Sequence, residues 1–165
     1  MDAPFCEADS YRYKACDEQA TEKLAREVAK RLPPGAVIAL DGDLGAGKTR
    51  FTSALAREMG IEKTVNSPTF TLIKEYEDGR LPLFHMDVYR ISEDEASALG
   101  LDDYFFGEGV TVVEWASRIR DLLPDERLAI YIENGGGNLR VFYLHPLGEQ
   151  YEAICQELDA LGLFA

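Results

Sequence analysis

The amino-acid sequence predicts an α/β domain in which strands and helices alternate. Two observations support this fold class. Short apolar runs at residues 37–40 and 110–113 suit buried parallel strands. A glycine-rich segment follows the first run directly and opens a helix, which gives the order strand, loop, helix. A length of 165 residues fits one domain, spanning residues 1–165, with a core of its own.

The first 60 residues are predicted to form two strands and two helices. Alternation at residues 11–15 indicates a half-buried strand. A helix follows from about residue 18 to residue 32, with apolar residues at a spacing of four, and the sequence Pro-Pro-Gly at 33–35 stops it. The run at 37–40 is the second strand. The second helix covers residues 49–59 and is closed by a glycine.

The remainder of the chain is predicted to contain two hairpins, one buried strand and three helices. The first hairpin pairs residues 66–76 with 81–87, and the second pairs residues 128–132 with 139–144. The buried strand covers residues 110–113. The helices cover residues 93–99, 116–123 and 149–161. Three glycines at the tip of the second hairpin favour a flexible loop, or a lid over a ligand.

Residues 42–49 read GDLGAGKT, an uninterrupted match to the phosphate-loop pattern G-x-x-x-x-G-K-[ST]. Its backbone amide groups can surround a phosphate, Lys48 adds a positive charge, and the Thr49 hydroxyl can hold Mg²⁺. The residues predicted to contact the nucleotide here are Leu44, Gly45, Ala46, Gly47, Lys48 and Thr49. The chain is therefore predicted to bind a nucleoside triphosphate.

Two carboxylates are candidates for the magnesium site of such a loop, because each follows an apolar run. Asp87 follows residues 83–86, and Glu114 follows residues 110–113. The second run is more uniformly apolar and is the better central neighbour of the loop, although spacing alone does not rank the two. One of them can instead position the attacking water. His85 shares the face of Asp87 and is interpreted as a hydrogen-bonded structural residue.

The segment SPTF at residues 67–70 lies between the loop and Asp87 in sequence. Segments in this position commonly respond to the bound nucleotide, and the Thr69 hydroxyl is available to Mg²⁺ or to the terminal phosphate. An ordinary turn that leads into a strand is the alternative.

The chain carries 17 basic and 30 acidic residues, a net charge of −13. This balance argues against a nucleic-acid groove, because lysine and arginine contacts to phosphate supply most such binding. Any connection with RNA is therefore expected to be indirect. The surplus of carboxylates fits simple solubility or a docking face for a basic partner. The acidic start and the absence of an 18-residue apolar run predict a cytoplasmic protein.

The segments GDLGAGKT, SPTF, HMDVYR at residues 85–90 and EW at residues 114–115, in that order and spacing, resemble the TsaE (YjeE) family of bacterial P-loop ATPases. The resemblance extends from residue 17 to about residue 144. It implies a P-loop NTPase-like three-layer fold with a mixed central sheet. It also implies an ATPase, dependent on ATP and Mg²⁺, that acts in threonylcarbamoyladenosine modification of tRNAs reading codons that begin with A. The implied partners are proteins of the TsaB and TsaD type.

The same resemblance implies roles for individual residues. Thr49 and Glu114 would contact Mg²⁺, and Asp87 would be needed for hydrolysis with Lys48. Thr69 would serve the segment that responds to the nucleotide. Trp115 would form part of a functional surface, and Glu18 would lie near the base of the nucleotide. Arg140 is the nearest candidate for an arginine that approaches the nucleotide. Ala116 follows Trp115 where family members commonly have proline.

Two other functions remain open from the residues alone. A small-molecule P-loop kinase shares the loop and the size, but such enzymes usually have an arginine-bearing lid, and no glycine-flanked arginine pair is present. A non-catalytic nucleotide-sensing scaffold would need only the binding loop. A GTPase is disfavoured, since the chain has no N-K-x-D sequence for guanine. Because no arginine is securely placed on the transferring phosphate, the isolated chain is predicted to hydrolyse ATP slowly.

Overall fold

The computed structural model describes residues 10–43, 45–68 and 72–164. These residues form seven strands, five α-helices and one 3₁₀ segment. The strands are β1 (Tyr11–Ala15), β2 (Val37–Gly42), β3 (Ile73–Tyr76), β4 (Leu83–Asp87), β5 (Val110–Glu114), β6 (Arg127–Asn134) and β7 (Arg140–Leu147). The helices are α1 (Glu18–Ala29), α2 (Lys48–Glu58), α3 (Glu93–Ser97), α4 (Asp102–Phe105) and α5 (Glu149–Ala160), and the 3₁₀ segment is Ala116–Leu122.

All seven strands lie in one sheet, in the order β1-β7-β6-β2-β5-β4-β3. The four central strands β6, β2, β5 and β4 run parallel to one another. The pairs β3 with β4, β6 with β7, and β1 with β7 are antiparallel. The mixed central sheet and both hairpins are therefore confirmed. In a parallel sheet the carboxyl ends of neighbouring strands meet at one edge, which is where ligands usually bind.

Helices pack on both faces of the sheet, which confirms the three-layer fold. One buried cluster joins the sheet to α1, α2 and α5, with Leu24, Phe51 and Ile154 among its members. The other cluster joins the sheet to α3, α4 and the 3₁₀ segment, with Phe105 and Ile119 among its members. Within the described part of the chain, no helix has both the length and the apolar composition needed to cross a membrane.

Three helical segments differ from the sequence-based expectation. Helix α1 ends at Ala29 rather than at residue 32, because a residue before proline is disfavoured in the helical conformation and Pro33 follows. Residues 116–122 form a 3₁₀ segment rather than an α-helix, and the segment is kinked at the buried Ile119, whose φ of −125° is not helical. Helix α4 was not expected, since four residues are too few to show a helical period.

Gly42, the last residue of β2, has a positive φ of +153° and lies close to β6. A Cβ added there would lie 2.5 Å from the carbonyl oxygen of Ile132. Gly42→Ala is therefore expected to lower the free energy of unfolding by about 1–3 kcal/mol more than Gly136→Ala. Gly136 also has a positive φ, of +98°, but nothing lies within 4 Å of its added Cβ. Urea unfolding without nucleotide measures both variants, and equal losses would contradict the steric argument.

Candidate functional site

The phosphate-loop sequence lies at the carboxyl end of β2 and leads directly into α2. Gly47 precedes the helix with φ +103°, and no side chain caps the helix N-terminus. The first backbone N–H groups of a helix have no partner within the helix, and they attract anions. The loop therefore has the local structure that the sequence predicts for a phosphate site. Leu44 lies outside the described residues.

Lys48 is held inside this loop, and its side chain is only 6% exposed. Its Nζ donates hydrogen bonds to the carbonyl oxygens of Gly42 at 3.1 Å and Asp43 at 2.9 Å. It also lies 4.0 Å from the centre of the Trp115 ring. Burial lowers the pKa of Lys48, and the nearby carboxylates, with Glu114 the strongest, oppose that shift. The ammonium group is thus placed beside the loop, and no carboxylate of the described residues forms an ion pair with it.

Glu114 and Asp87 lie side by side at the carboxyl edge of the sheet. Their strands are parallel neighbours and place the two residues in register. Glu114 is on β5, the direct neighbour of β2, as the apolar character of its strand predicts. Both residues are almost fully buried, at 3% and 4% exposure. The backbone N–H of Tyr89 donates to Asp87 Oδ1 at 2.9 Å, which fixes one oxygen of that carboxylate.

The Thr49 hydroxyl connects the phosphate loop to this carboxylate pair. Its Oγ1 donates to Glu114 Oε2 at 3.3 Å. A hydroxyl and a carboxylate are oxygen ligands of the kind Mg²⁺ prefers. Among the described residues, no group of three or more His, Cys, Asp or Glu side chains could hold a metal ion. The residues therefore fit a Mg²⁺ whose remaining ligands come from phosphate and water, which is its usual environment in nucleotide sites.

His85 is fully buried directly behind Glu114. Its Nε2 contacts the same Oε2 oxygen that accepts the Thr49 hydroxyl. An ionised carboxylate can only accept a hydrogen bond, so this contact assigns the donor role to Nε2. The other ring nitrogen, Nδ1, is enclosed without a hydrogen-bond partner in the described part of the chain. The interpretation of His85 as a hydrogen-bonded residue is confirmed, and its partner is the predicted metal ligand.

Two neighbouring cavities lie along the loop. The first, of about 280 Å³, is lined by Lys48, Thr49, Asp87 and Glu114 together with Ser67 and Trp115. The second, of about 160 Å³, is lined by residues including Glu18, Ala46, Asn138 and Arg140. Gly45, Gly47 and Arg50 border both cavities. The pair forms an elongated groove in which phosphates would occupy the first part and a nucleoside the second. Thr69 lies outside the described residues.

Arg140 contacts the outer side of the loop. Its Nε donates to the carbonyl oxygen of Ala46 at 3.1 Å, and its Nη2 donates to that of Gly45 at 3.4 Å. This places the arginine named from the second hairpin beside the groove. Its contact with a nucleotide stays a prediction.

Four residues that line the groove were not among the predicted site residues: Asp17, Thr21, Arg50 and Asn138. Arg50 forms an ion pair with Glu18 at 3.2 Å and links α2 to the start of α1. The sequence could have indicated Arg50 through its position one residue after Thr49, on the first turn of α2. Asn138 lies in the glycine-rich hairpin tip, where only a flexible loop or a lid was expected. A polar residue after three glycines carries too little information to place it.

A protein-family model described as "Threonylcarbamoyl adenosine biosynthesis protein TsaE" matches residues 15–141. This chain belongs to the TsaE family. A TsaE-family protein of Bacillus subtilis is 50% identical over 148 residues, which cover 90% of this chain and 93% of the relative. A second, from Synechocystis, is 43% identical over 110 residues, with coverage of 64% and 70%. Both are named tRNA threonylcarbamoyladenosine biosynthesis protein TsaE.

The fold of this TsaE-family chain also matches a solved structure. The crystal structure of Bacillus subtilis YdiB superposes with a TM-score of 0.82 at 44% sequence identity. The superposition covers 93% of this chain and 96% of YdiB. The family resemblance carried by the phosphate loop, SPTF, HMDVYR and EW is thus confirmed.

Proposed function

We propose that this chain binds Mg-ATP and hydrolyses it slowly. The observation that carries the proposal is the contact between the Thr49 hydroxyl and Glu114 in the cavity that also contains Lys48. A helix N-terminus without a side-chain cap supplies N–H groups for phosphate at the same place. A phosphate site, a cation and two oxygen ligands in one cavity are the parts that a P-loop ATPase requires.

Each residue of the first cavity has a role in this proposal. Lys48 exchanges the carbonyl oxygens of Gly42 and Asp43 for phosphate oxygens. Thr49 and Glu114 hold Mg²⁺, which supplies positive charge to the phosphate oxygens. Asp87 lines the cavity next to Glu114 and orients the attacking water, whose proton it can accept.

The remaining predicted residues complete the nucleotide site. Thr69 is proposed to serve the terminal phosphate, since Ser67, two residues before it, lines the first cavity. Glu18 is proposed to lie near the base, because it borders the second cavity. The backbone of Leu44, Gly45, Ala46 and Gly47 is proposed to surround the phosphates.

We further propose that the hydrolysis serves tRNA threonylcarbamoyladenosine modification, the process named in the relatives. The chain would act through partner proteins of the TsaB and TsaD type rather than by binding tRNA itself. A net charge of −13 supports this indirect role, because phosphate backbones repel such a surface. Direct tRNA binding by the isolated chain that weakens steeply with salt would contradict it.

Phosphate release from ATP tests the proposed activity. With Mg²⁺, the isolated chain is expected to hydrolyse ATP at a rate on the order of 10⁻² per second or lower, as P-loop proteins do without a partner's arginine. Partner proteins are expected to raise the rate, and EDTA to abolish it. Many turnovers per second by the isolated chain would contradict the slow rate. Phosphate transfer to a metabolite would indicate a kinase, and binding without release under any condition would indicate a scaffold.

A further inference from the structure

A separate cavity of about 240 Å³, with a mainly apolar wall and a few charged side chains, lies between the sheet and the 3₁₀ segment. Its polar lining consists of Asp41, Ser117, Arg120, Arg127 and His145. The rest of the wall is made of small and aliphatic side chains such as Ala129. None of these residues belongs to the proposed nucleotide groove. The cavity is smaller than typical sites for drug-sized ligands and suits a small metabolite.

Asp41 provides the negative charge of this cavity, which we name the Asp41 cavity. The residue is only 6% exposed. Its Oδ1 accepts hydrogen bonds from the backbone N–H of Ser117 at 3.0 Å and from the Ser117 hydroxyl at 2.8 Å. Both bonds use the same oxygen, which leaves Oδ2 without a hydrogen-bond donor among the described residues. Burial raises the pKa of Asp41, and the two Ser117 bonds only partly oppose that shift.

Arg127 and Arg120 provide the positive charge. Arg127 donates from Nη1 to the carbonyl oxygen of Pro124 at 2.9 Å, whereas its Nε is enclosed without a hydrogen-bond partner in the described chain. Burial lowers the pKa of Arg127, and the neighbouring charge of Arg120 lowers it further. Two guanidinium groups therefore line one cavity of a chain that has a large excess of carboxylates.

The opposite charges of the Asp41 cavity do not meet. Asp41, Arg120 and Arg127 are near enough to influence one another's pKa. However, the ion pairs within 4 Å in the described part of the chain include none between Asp41 and either arginine. All three charged residues line the same cavity. A ligand with only a carboxylate would leave Asp41 without an opposite charge, and a ligand with only an ammonium group would leave the two arginines without one.

We propose that the Asp41 cavity binds a small zwitterion, specifically a free α-amino acid. Its carboxylate would lie between Arg120 and Arg127, since a guanidinium group binds a carboxylate through paired hydrogen bonds. Its ammonium group would donate to Asp41 Oδ2. Its side chain would contact the apolar wall near Ala129. The ligand would thereby provide partners for both charges that the protein leaves apart.

Calorimetric titration of the whole chain without nucleotide tests this proposal. The probes are glycine, alanine, serine and valine, with propionate and propylamine as analogues that lack one of the two charges, all at equal ionic strength. At least one amino acid is expected to bind. The affinity for each analogue is expected to be lower by about tenfold or more. No amino-acid binding at millimolar concentration, or equal binding of propionate, would overturn the proposal.

Variants locate the bound amino acid. Asp41→Asn and Arg127→Gln are each expected to weaken its binding about tenfold or more. Arg120→Gln, a change at an exposed side chain, tests the same clamp without disturbing a buried group. Arg12→Gln on β1 is the matched control and is expected to bind as the unmodified chain does. If Asp41→Asn or Arg120→Gln binds the amino acid as tightly as Arg12→Gln does, this cavity is not the binding site.

Discussion

Replacing Lys48 with alanine is expected to weaken ATP binding by about 30-fold or more, because truncating a buried charge that pairs with its ligand costs about 2 kcal/mol or more. Lys48 is only 6% exposed, so little water screens its charge. Its positive charge also offsets the carboxylates of Glu114 and Asp87, which line the same cavity. Without it, the phosphates of ATP would approach an uncompensated acidic pocket.

Titration with a fluorescent ATP analogue, with and without Mg²⁺, measures the effect of Lys48→Ala. Lys30→Ala is the matched control, since Lys30 is half exposed and pairs with Glu27 of α1 at the surface. The control is expected to bind ATP normally and to unfold within about 0.5 kcal/mol of the unmodified chain. Should Lys48→Ala retain the ATP affinity of Lys30→Ala while folded, the loop would not be a nucleotide site.

The parts of the fold with strong local patterns were predictable from the sequence. The uniformly apolar run of β5 predicted a central parallel strand, and the structure places β5 directly beside β2. That placement brings Glu114 to the edge of the sheet where the phosphate loop begins. The register with Asp87 follows from the same rule, because both carboxylates end parallel neighbouring strands. Two residues 27 positions apart in sequence could thus be assigned to one site.

Contacts that depend on how separate segments meet were not predictable. The hydrogen bonds from Ser117 to Asp41 join the end of β2 to the 3₁₀ segment, and neither residue has a spacing that signals the other. The ion pair of Arg50 with Glu18 requires α1 to pack on α2, which periodicity alone does not establish. Tertiary packing decides such contacts.

His85→Leu is expected to weaken metal binding in the nucleotide complex by about 10- to 100-fold, the usual effect of removing a residue that orients a metal ligand. His85 contacts Oε2 of Glu114, the oxygen that also accepts the Thr49 hydroxyl. With both donors directed at Oε2, the carboxylate is held in one orientation beside the phosphate loop. Leucine fills a similar space but donates no hydrogen bond, so the buried carboxylate would lose its orientation. We therefore infer that His85 is a positioning residue for the proposed Mg²⁺ site.

Mn²⁺ binding in the presence of saturating ADP, followed by electron paramagnetic resonance, measures this effect without relying on hydrolysis. His85→Gln provides the matched comparison, since its amide N–H₂ can replace the imidazole donor. It is expected to recover part of the lost metal affinity. ADP affinity in EDTA is expected to be unchanged in both variants, because His85 is not among the residues that line the nucleotide groove.

The pattern of these measurements separates a positioning role from a purely structural one. A structural role would lower the midpoint of thermal unfolding and would reduce ADP affinity equally with and without metal. A positioning role reduces affinity only when metal is present, and the glutamine variant recovers part of it. If both His85→Leu and His85→Gln bind Mn²⁺ normally in the ADP complex, the His85 contact to Glu114 serves the fold alone. The orientation of the Glu114 carboxylate would then depend on Thr49, the other residue that donates to it.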